Sequence, residues 1–267
     1  MHLKRWLTAI IAIPLVLYLL GPAPRWAFQH FLFLVSVLGL LEFYRISSPE
    51  TPRSLRVVSL ILAYPLFYFI SRGPLVMILP AASLWVMVPA ILFLFLYRSQ
   101  RANASEGIGK MLFGFFYVCL PLSLLIFIER YPRGELWIVF LLCVVFSTDT
   151  GAYYAGRFLG RHRLYPSISP GKTWEGAVGG FLAGILAAVL VSRILPPFEL
   201  EISMIGLAAV LSILSQIGDL VESMIKRNHG VKDSGSILPG HGGILDRIDG
   251  LLFAIPVLYF FLAWYLP

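Results

Sequence analysis

The sequence predicts an all-α, polytopic integral membrane protein of about nine transmembrane helices, and three observations carry that prediction. Of the 267 residues, 58% are hydrophobic and 13% charged, where a soluble domain carries about 25% charged residues. The apolar residues gather in runs long enough to span a bilayer. The Lys and Arg residues between those runs fall mostly on alternate loops, as they do when cationic loops are retained in the cytoplasm. The alternating, turn-punctuated pattern of an outer-membrane barrel is missing.

In chain order the runs lie at about 6–21, 26–43, 55–71, 74–97, 111–128, 136–156, 174–194, 202–221 and 250–266. The first follows Lys4 and Arg5, as a signal peptide would, but its length and the second run close behind favour a retained helix. Gly21 to Pro24 and Ser47 to Pro52 have turn composition, and Pro65 interrupts the third run. Glu42, near the end of the second run, is expected to face a polar neighbour or the interface. Cys119 and Cys143 sit inside apolar runs, where packing rather than a disulfide is expected. No repeat, low-complexity tract or soluble domain interrupts the chain. Residues 1–110 form an N-terminal scaffold of about four helices, and residues 111–267 supply about five helices and the polar residues of interest.

With the N-terminus on one side and the loops alternating, sixteen of the 21 Lys and Arg residues fall on the N-terminal side. That side is predicted to be cytoplasmic and the C-terminus external, in the cell's inner membrane. The same topology accounts for the net charge of +7, because the basic residues are scattered over loops and form no nucleic-acid-binding face. It also puts the loop at 157–173 and the block at 222–249 on the cytoplasmic side.

The polar block at 219–249 stands out in an otherwise apolar chain. Asp219, Ser223 and Lys226 are spaced by four and three, which puts a carboxylate, a hydroxyl and an ammonium on one helix face. Gly230, Gly235, Pro239, Gly240, Gly242 and Gly243 break regular structure and leave backbone N–H groups open to a phosphate. Asp246 and Asp249 then flank Arg247, and carboxylates are the oxygen ligands Mg²⁺ takes, one or two per ion, with phosphates completing the shell.

A second polar stretch begins in the sixth run, with Ser147, Thr148, Asp149 and Thr150. An ionisable residue within a span is costly, so Asp149 is a functional candidate or a partner of nearby hydroxyls or an Arg. Downstream, Gly171-Lys172-Thr173 invites a P-loop reading. That is rejected because residue 166 is Pro where the motif needs Gly, and because no strand is expected ahead of it. What survives is a helix N-terminus with a Lys and a Thr, a reasonable anion site. Thr173 is expected to cap that helix, and Trp174 to anchor it at the interface.

Read from Ser223 to Asp249, the order Ser-x-x-Lys-Arg-x4-Lys-Asp-x-Gly-x3-Leu-Pro-x-His-Gly-Gly-x-x-Asp-Arg-x-Asp resembles the motif of the phosphatidate cytidylyltransferases, or CDP-diacylglycerol synthases. Ser169-Pro-x-Lys-Thr-Trp-Glu-Gly176 is similar to a second stretch of that family. The resemblance covers residues 143 to 250, while the N-terminal half matches in hydrophobic character only. It implies a reaction of CTP with phosphatidic acid giving CDP-diacylglycerol and pyrophosphate at a lipid bilayer. It further implies one or two Mg²⁺ ions on Asp219, Asp246 and Asp249, and CTP phosphates held by Lys226, Arg227 and Lys232. Ser223, His241, Gly242 and Gly243 complete the phosphate cradle, and Lys172 and Arg163 are candidates for the lipid phosphate. Asp246, Lys226 and Asp219 are the catalytic candidates, whereas His229 and Asp233 are expected to organise the loop. A homodimer is compatible with the Gly-rich and aromatic spans.

Three rivals are weighed. An ion- or proton-coupled transporter would use Asp149 and Asp219, but the charge lies at one membrane face and no repeat pairs the two halves. A CDP-alcohol phosphotransferase would need a pattern that fails here, since Asp249-Gly250 is followed by Leu251, Leu252, Phe253 and Ala254. A CTP-dependent lipid kinase would need similar phosphate-binding parts, and only the resemblance argues against it.

Overall fold

A computed structural model describes residues 2–49, 53–72, 104–195, 201–237 and 242–265, with short pieces between residues 76 and 95. The elements are α1 (His2–Leu20), α2 (Arg25–Ser47), α3 (Arg53–Arg72), α4 (Ala104–Gly114), a single π-helical turn (Phe115–Cys119) and α5 (Leu120–Arg130). They continue with α6 (Gly134–Leu159), β1 (Arg163–Tyr165), β2 (Ser169–Thr173), α7 (Trp174–Ile194), α8 (Ile202–Asn228) and α9 (Leu245–Tyr265). Among the described residues, six helices are long and apolar enough to cross a membrane, which is the architecture of a helical multi-pass membrane protein. The predicted run at 74–97 lies mostly outside the described residues, and each of the other runs falls on a helix.

Two helices extend past the apolar runs they carry. α8 continues from residue 221 to Asn228, as the shared face of Asp219, Ser223 and Lys226 requires, and α9 starts at Leu245, ahead of the apolar run at 250. Charged residues on a helix end interrupt hydropathy without interrupting the backbone ladder, so Ser223, Lys226, Arg227, Asp246 and Asp249 are all helical.

The chain divides into two compact units, Met1–Ile126 with Asp233–Asp246, and Phe127–Lys232 with Arg247–Pro267. In the first, α2 buries Phe28, Leu32, Leu40, Phe43 and Tyr44. The Tyr44 hydroxyl donates to the Met111 carbonyl at 2.9 Å. A Cβ at Gly114 would stand 2.6 Å from the Phe43 ring and 2.8 Å from the Tyr44 ring, so only glycine lets α4 approach α2 this closely. Cys119 is a buried, free thiol of this unit and Cys143 a free thiol of the other, in line with the packing role expected of both.

The second unit is built on the α6–α7 hairpin. One face of α7 is Gly176, Gly180, Gly184, Ala187, Ala188 and Val191, all buried. The opposite face is Val178, Leu182, Leu186, Leu190 and Ile194, all exposed, as a lipid-facing stripe would be. Small residues at four-residue spacing let helix backbones meet closely, which is how membrane helices associate without a hydrophobic driving force between them. A Cβ at Gly180 would lie 2.7 Å from the Thr148 carbonyl oxygen and 2.9 Å from the Ala152 Cβ. The glycine stripe is therefore occupied within the chain. Buried Thr148 and Ser212 share a short hydrogen bond that ties α6 to α8. Gln216 ties α8 to α7 by donating to the Ala177 carbonyl at 3.3 Å.

The loop expected at 157–173 contains a short antiparallel hairpin, pairing Arg163 with Thr173 and Tyr165 with Ser169 across a register shift. It departs from the all-α expectation, and a strand does run straight into α7. The exclusion of a P-loop thus rests on Pro166 alone. Glu175 holds the base of the hairpin: its carboxylate accepts from the backbone N–H groups of Arg161 (3.1 Å) and His162 (3.2 Å) and lies 2.6 Å from His162 Nδ1.

Candidate functional site

Two polar clusters are built, one within each unit. In the second unit β2 delivers Lys172 to the C-terminal half of α8, where its Nζ lies 2.7 Å from Asp219 Oδ2. Ser223, one turn further along α8, donates to Asp219 Oδ1 at 3.4 Å, as the four-residue spacing predicts. Thr173 caps α7 as expected, its hydroxyl accepting from the Gly176 N–H at 3.1 Å. Its extended backbone ends the strand where the helix begins. The cap and the hairpin together fix the point from which Lys172 reaches Asp219.

Lys226 lies on the same helix as Asp219, two turns further along. Its ammonium pairs with Glu222, whose side chain is 1% exposed. Glu222 is the residue the sequence reading passed over, although its four-residue spacing to Lys226 was a usable signal. Arg227 donates from Nε to the Ile168 carbonyl at 3.1 Å, pinning the hairpin turn to the end of α8. Arg163 is exposed on β1, and Lys232 and Asp233 are exposed beyond α8. His229 is exposed at the end of α8, its Nδ1 3.0 Å from the Ile225 carbonyl oxygen.

Asp149 of α6 completes this cluster, within electrostatic reach of Asp219, Lys172 and Arg247. Asp249, near the start of α9, is within reach of Asp219, Glu222 and Asp149. Its Oδ1 accepts from the Gly250 N–H at 2.8 Å. A Cβ on Gly218 would fall 3.2 Å from the Gly250 Cα, so α8 and α9 run together closely beside it. Four carboxylates and the cations Lys172, Lys226 and Arg247 thus influence one another near helix ends. Among the described residues no three His, Cys, Asp or Glu side chains converge closely enough to enclose a metal ion. Mg²⁺ usually takes one or two carboxylates and fills its shell with water and substrate phosphate. Asp219 and Asp249 suit that sparser arrangement, each retaining carboxylate lone pairs beyond the contacts given above.

In the first unit Asp246 serves the loop that precedes it. Its Oδ2 accepts from the N–H groups of Gly243 (2.9 Å) and Ser234 (3.0 Å). The Gly243 N–H, read from sequence as open to phosphate, is therefore engaged by Asp246. Gly242 has φ +79°, a left-handed conformation that favours glycine. His241 lies outside the described residues. Glu42 is fully buried, and its Oε2 accepts from the Ser234 hydroxyl at 3.0 Å and the Leu245 N–H at 2.9 Å. The expected polar neighbour of Glu42 is thus the Ser234–Asp246 loop, a long-range contact that no local pattern announces.

Fold and site together define a multi-pass helical membrane protein with a carboxylate-rich, cation-balanced site near its helix ends. Residues 3–265 match the family model of the Cytidylyltransferase family. A phosphatidate cytidylyltransferase of Staphylococcus aureus (strain COL) is 35% identical over 257 residues, 95% of this chain and 96% of that protein. One of Brucella suis biovar 1 (strain 1330) is 48% identical over 173 residues, 64% of this chain and 61% of that protein. The chain belongs to the cytidylyltransferase family.

Proposed function

We propose that this chain transfers the cytidylyl group of CTP to phosphatidic acid, giving CDP-diacylglycerol and pyrophosphate. Family membership along nearly the whole chain supports the reaction class. Phosphatidate cytidylyltransferase is also the name of its Staphylococcus aureus relative. The structural observation that carries the reading is that Asp219 meets Lys172 of one motif stretch through one carboxylate oxygen and Ser223 of the other through the second, which brings the two stretches to one carboxylate.

In the reaction a phosphate oxygen of the lipid attacks the α-phosphorus of CTP in line. The bond to the bridging oxygen breaks and pyrophosphate leaves with its electron pair. Phosphatidate is already an oxyanion at neutral pH, so no side chain need remove a proton. Both reactants are anions, and catalysis consists of holding them together and offsetting their charge. Asp219 and Asp249 would hold Mg²⁺, and the resemblance assigns Asp246 the same task. When bound, Mg²⁺ supplies charge neutralisation at the phosphoryl oxygens. Lys226, Arg227 and Lys232 hold the nucleotide phosphates, Arg as a planar fork and Lys as a point charge. The resemblance assigns Ser223, His241 and Gly242 to the nucleotide phosphates as well, while the Gly243 N–H is taken by Asp246. Lys172 and Arg163 serve the lipid phosphate, Lys172 exchanging its Asp219 partner for the incoming anion.

The same reading has nine spans in the inner membrane, the N-terminus and site in the cytoplasm and the C-terminus outside, supported by the sixteen of 21 basic residues on one side. A homodimer would have to use surfaces other than the glycine stripe of α7.

The test uses purified chain, phosphatidic acid, Mg²⁺ and CTP labelled at the α-phosphate, with Asp246→Asn alongside. Label moves into the lipid, pyrophosphate is released, EDTA stops both, and the variant does neither. Phosphorylated lipid and CDP in place of labelled lipid would point to a kinase and overturn the reading.

A further inference from the structure

We infer that Glu42, on a helix outside both motif stretches, is a positioning residue that holds Asp246 and the start of α9 in place. The bearing of this on catalysis rests on the cytidylyl-transfer reading, in which Asp246 serves the reaction. The hydrogen bonds form a closed circuit. Glu42 Oε2 accepts from the Ser234 hydroxyl at 3.0 Å and the Leu245 N–H at 2.9 Å. Ser234 Oγ accepts from the Asp246 N–H at 3.3 Å. The Asp246 carboxylate in turn accepts from the N–H groups of Ser234 at 3.0 Å and Gly243 at 2.9 Å. Loosening any one member releases the others.

The first N–H groups of a helix have no partner within it. Here Leu245, the first residue of α9, donates to a side chain that arrives from α2, the task usually given to a local cap. The positive end of the helix dipole favours a carboxylate at that point. This accounts for a fully buried Glu late in an apolar helix, where an ionisable group is otherwise costly. Gly235 and Gly243 lie so close that a Cβ at either would collide with the Glu42 carboxylate. The loop is thereby shaped around this one side chain. Glu42 Oε1 has no hydrogen-bond partner among the described residues. An amide in place of the carboxylate keeps the Oε2 acceptor and puts its NH₂ where nothing is being accepted.

The experiment compares the full-length wild type with Glu42→Ala, Glu42→Gln and Ser234→Ala in micelles. It reads hydrogen–deuterium exchange over residues 233–246, with residues 174–194 as an internal reference, together with kcat and KM. Glu42→Ala should speed exchange over 233–246 by about tenfold or more while the reference segment is unchanged. It should also lower kcat by about a hundredfold, with KM for phosphatidic acid within about threefold of wild type. Glu42→Gln should stay within about fivefold of wild type in both readouts, because the acceptor geometry survives. Ser234→Ala should act in the same direction and add little to Glu42→Ala, as expected of residues in one network.

Unchanged exchange in Glu42→Ala would overturn the inference, whatever the activity. So would unaltered kcat in that variant, or damage from Glu42→Gln equal to that from Glu42→Ala. A wild type that labels no lipid, yet shows the exchange contrast between Glu42→Ala and Glu42→Gln, would sink the reaction reading and leave the holding role supported.

Discussion

Replacing Gly180 by Ala adds one methyl group at a tight point of the α6–α7 contact. The new Cβ would sit 2.7 Å from the Thr148 carbonyl oxygen and 2.9 Å from the Ala152 Cβ. Ordinary carbon contacts lie at about 3.5–4.0 Å, so the helices must part by about 0.6–1.1 Å. The obstructing atoms belong to the backbone and a Cβ, which have no rotamer to turn away. Overpacking of this kind costs about 1–3 kcal/mol, offset by about 1 kcal/mol from the better helix propensity of Ala. Net destabilisation is then about 0–2 kcal/mol. The effect on turnover should be larger. Thr148 precedes Asp149, and α7 continues from the strand carrying Lys172, so parting the helices shifts these groups relative to each other. A displacement near 1 Å can cost about a hundredfold in rate. Gly206→Ala is the control, because a Cβ there meets nothing within 4 Å. Thermal melts in detergent and the labelled-CTP assay would be run on both. If Gly180→Ala matches Gly206→Ala in melting and turnover, the glycine stripe does not set the site and the reasoning fails.

Two further substitutions probe the hairpin. Lys172→Met removes the ammonium that stands 2.7 Å from Asp219. It should lower kcat/KM for phosphatidic acid by about 10–100-fold, equivalent to about 1.4–2.7 kcal/mol, with partial recovery in Lys172→Arg. Equal kinetics for Lys172→Met and wild type would remove Lys172 from the site. Thr173→Ala deletes the side-chain oxygen that caps α7 at Gly176. A loss of about 1 kcal/mol is expected from melting in detergent, with Thr173→Ser close to wild type. A melt unchanged by Thr173→Ala would mean that the hairpin, not the cap, sets the start of α7.

Composition by itself determined that the chain is a bundle of membrane helices, because only internally hydrogen-bonded backbone survives in hydrocarbon. Local pattern likewise determined the cap at Thr173 and the Asp219–Ser223 pair, since both depend on groups within one turn of each other. The apolar runs stop at 221 and 250 while the helices continue, for a related reason: hydropathy registers where charge begins, while the backbone ladder continues beneath it. The remaining outcomes belonged to the tertiary structure. The partner of Asp219 follows from where β2 brings Lys172, and sequence alone shows a loop there. The α7 glycines announce a close contact but not its partner, which proved to be α6 of the same chain. Glu42 shows the limit most plainly, because its bonds to Ser234 and Leu245 join residues far apart in the chain. A buried carboxylate must find donors, but the sequence does not say which ones. Only packing decides that.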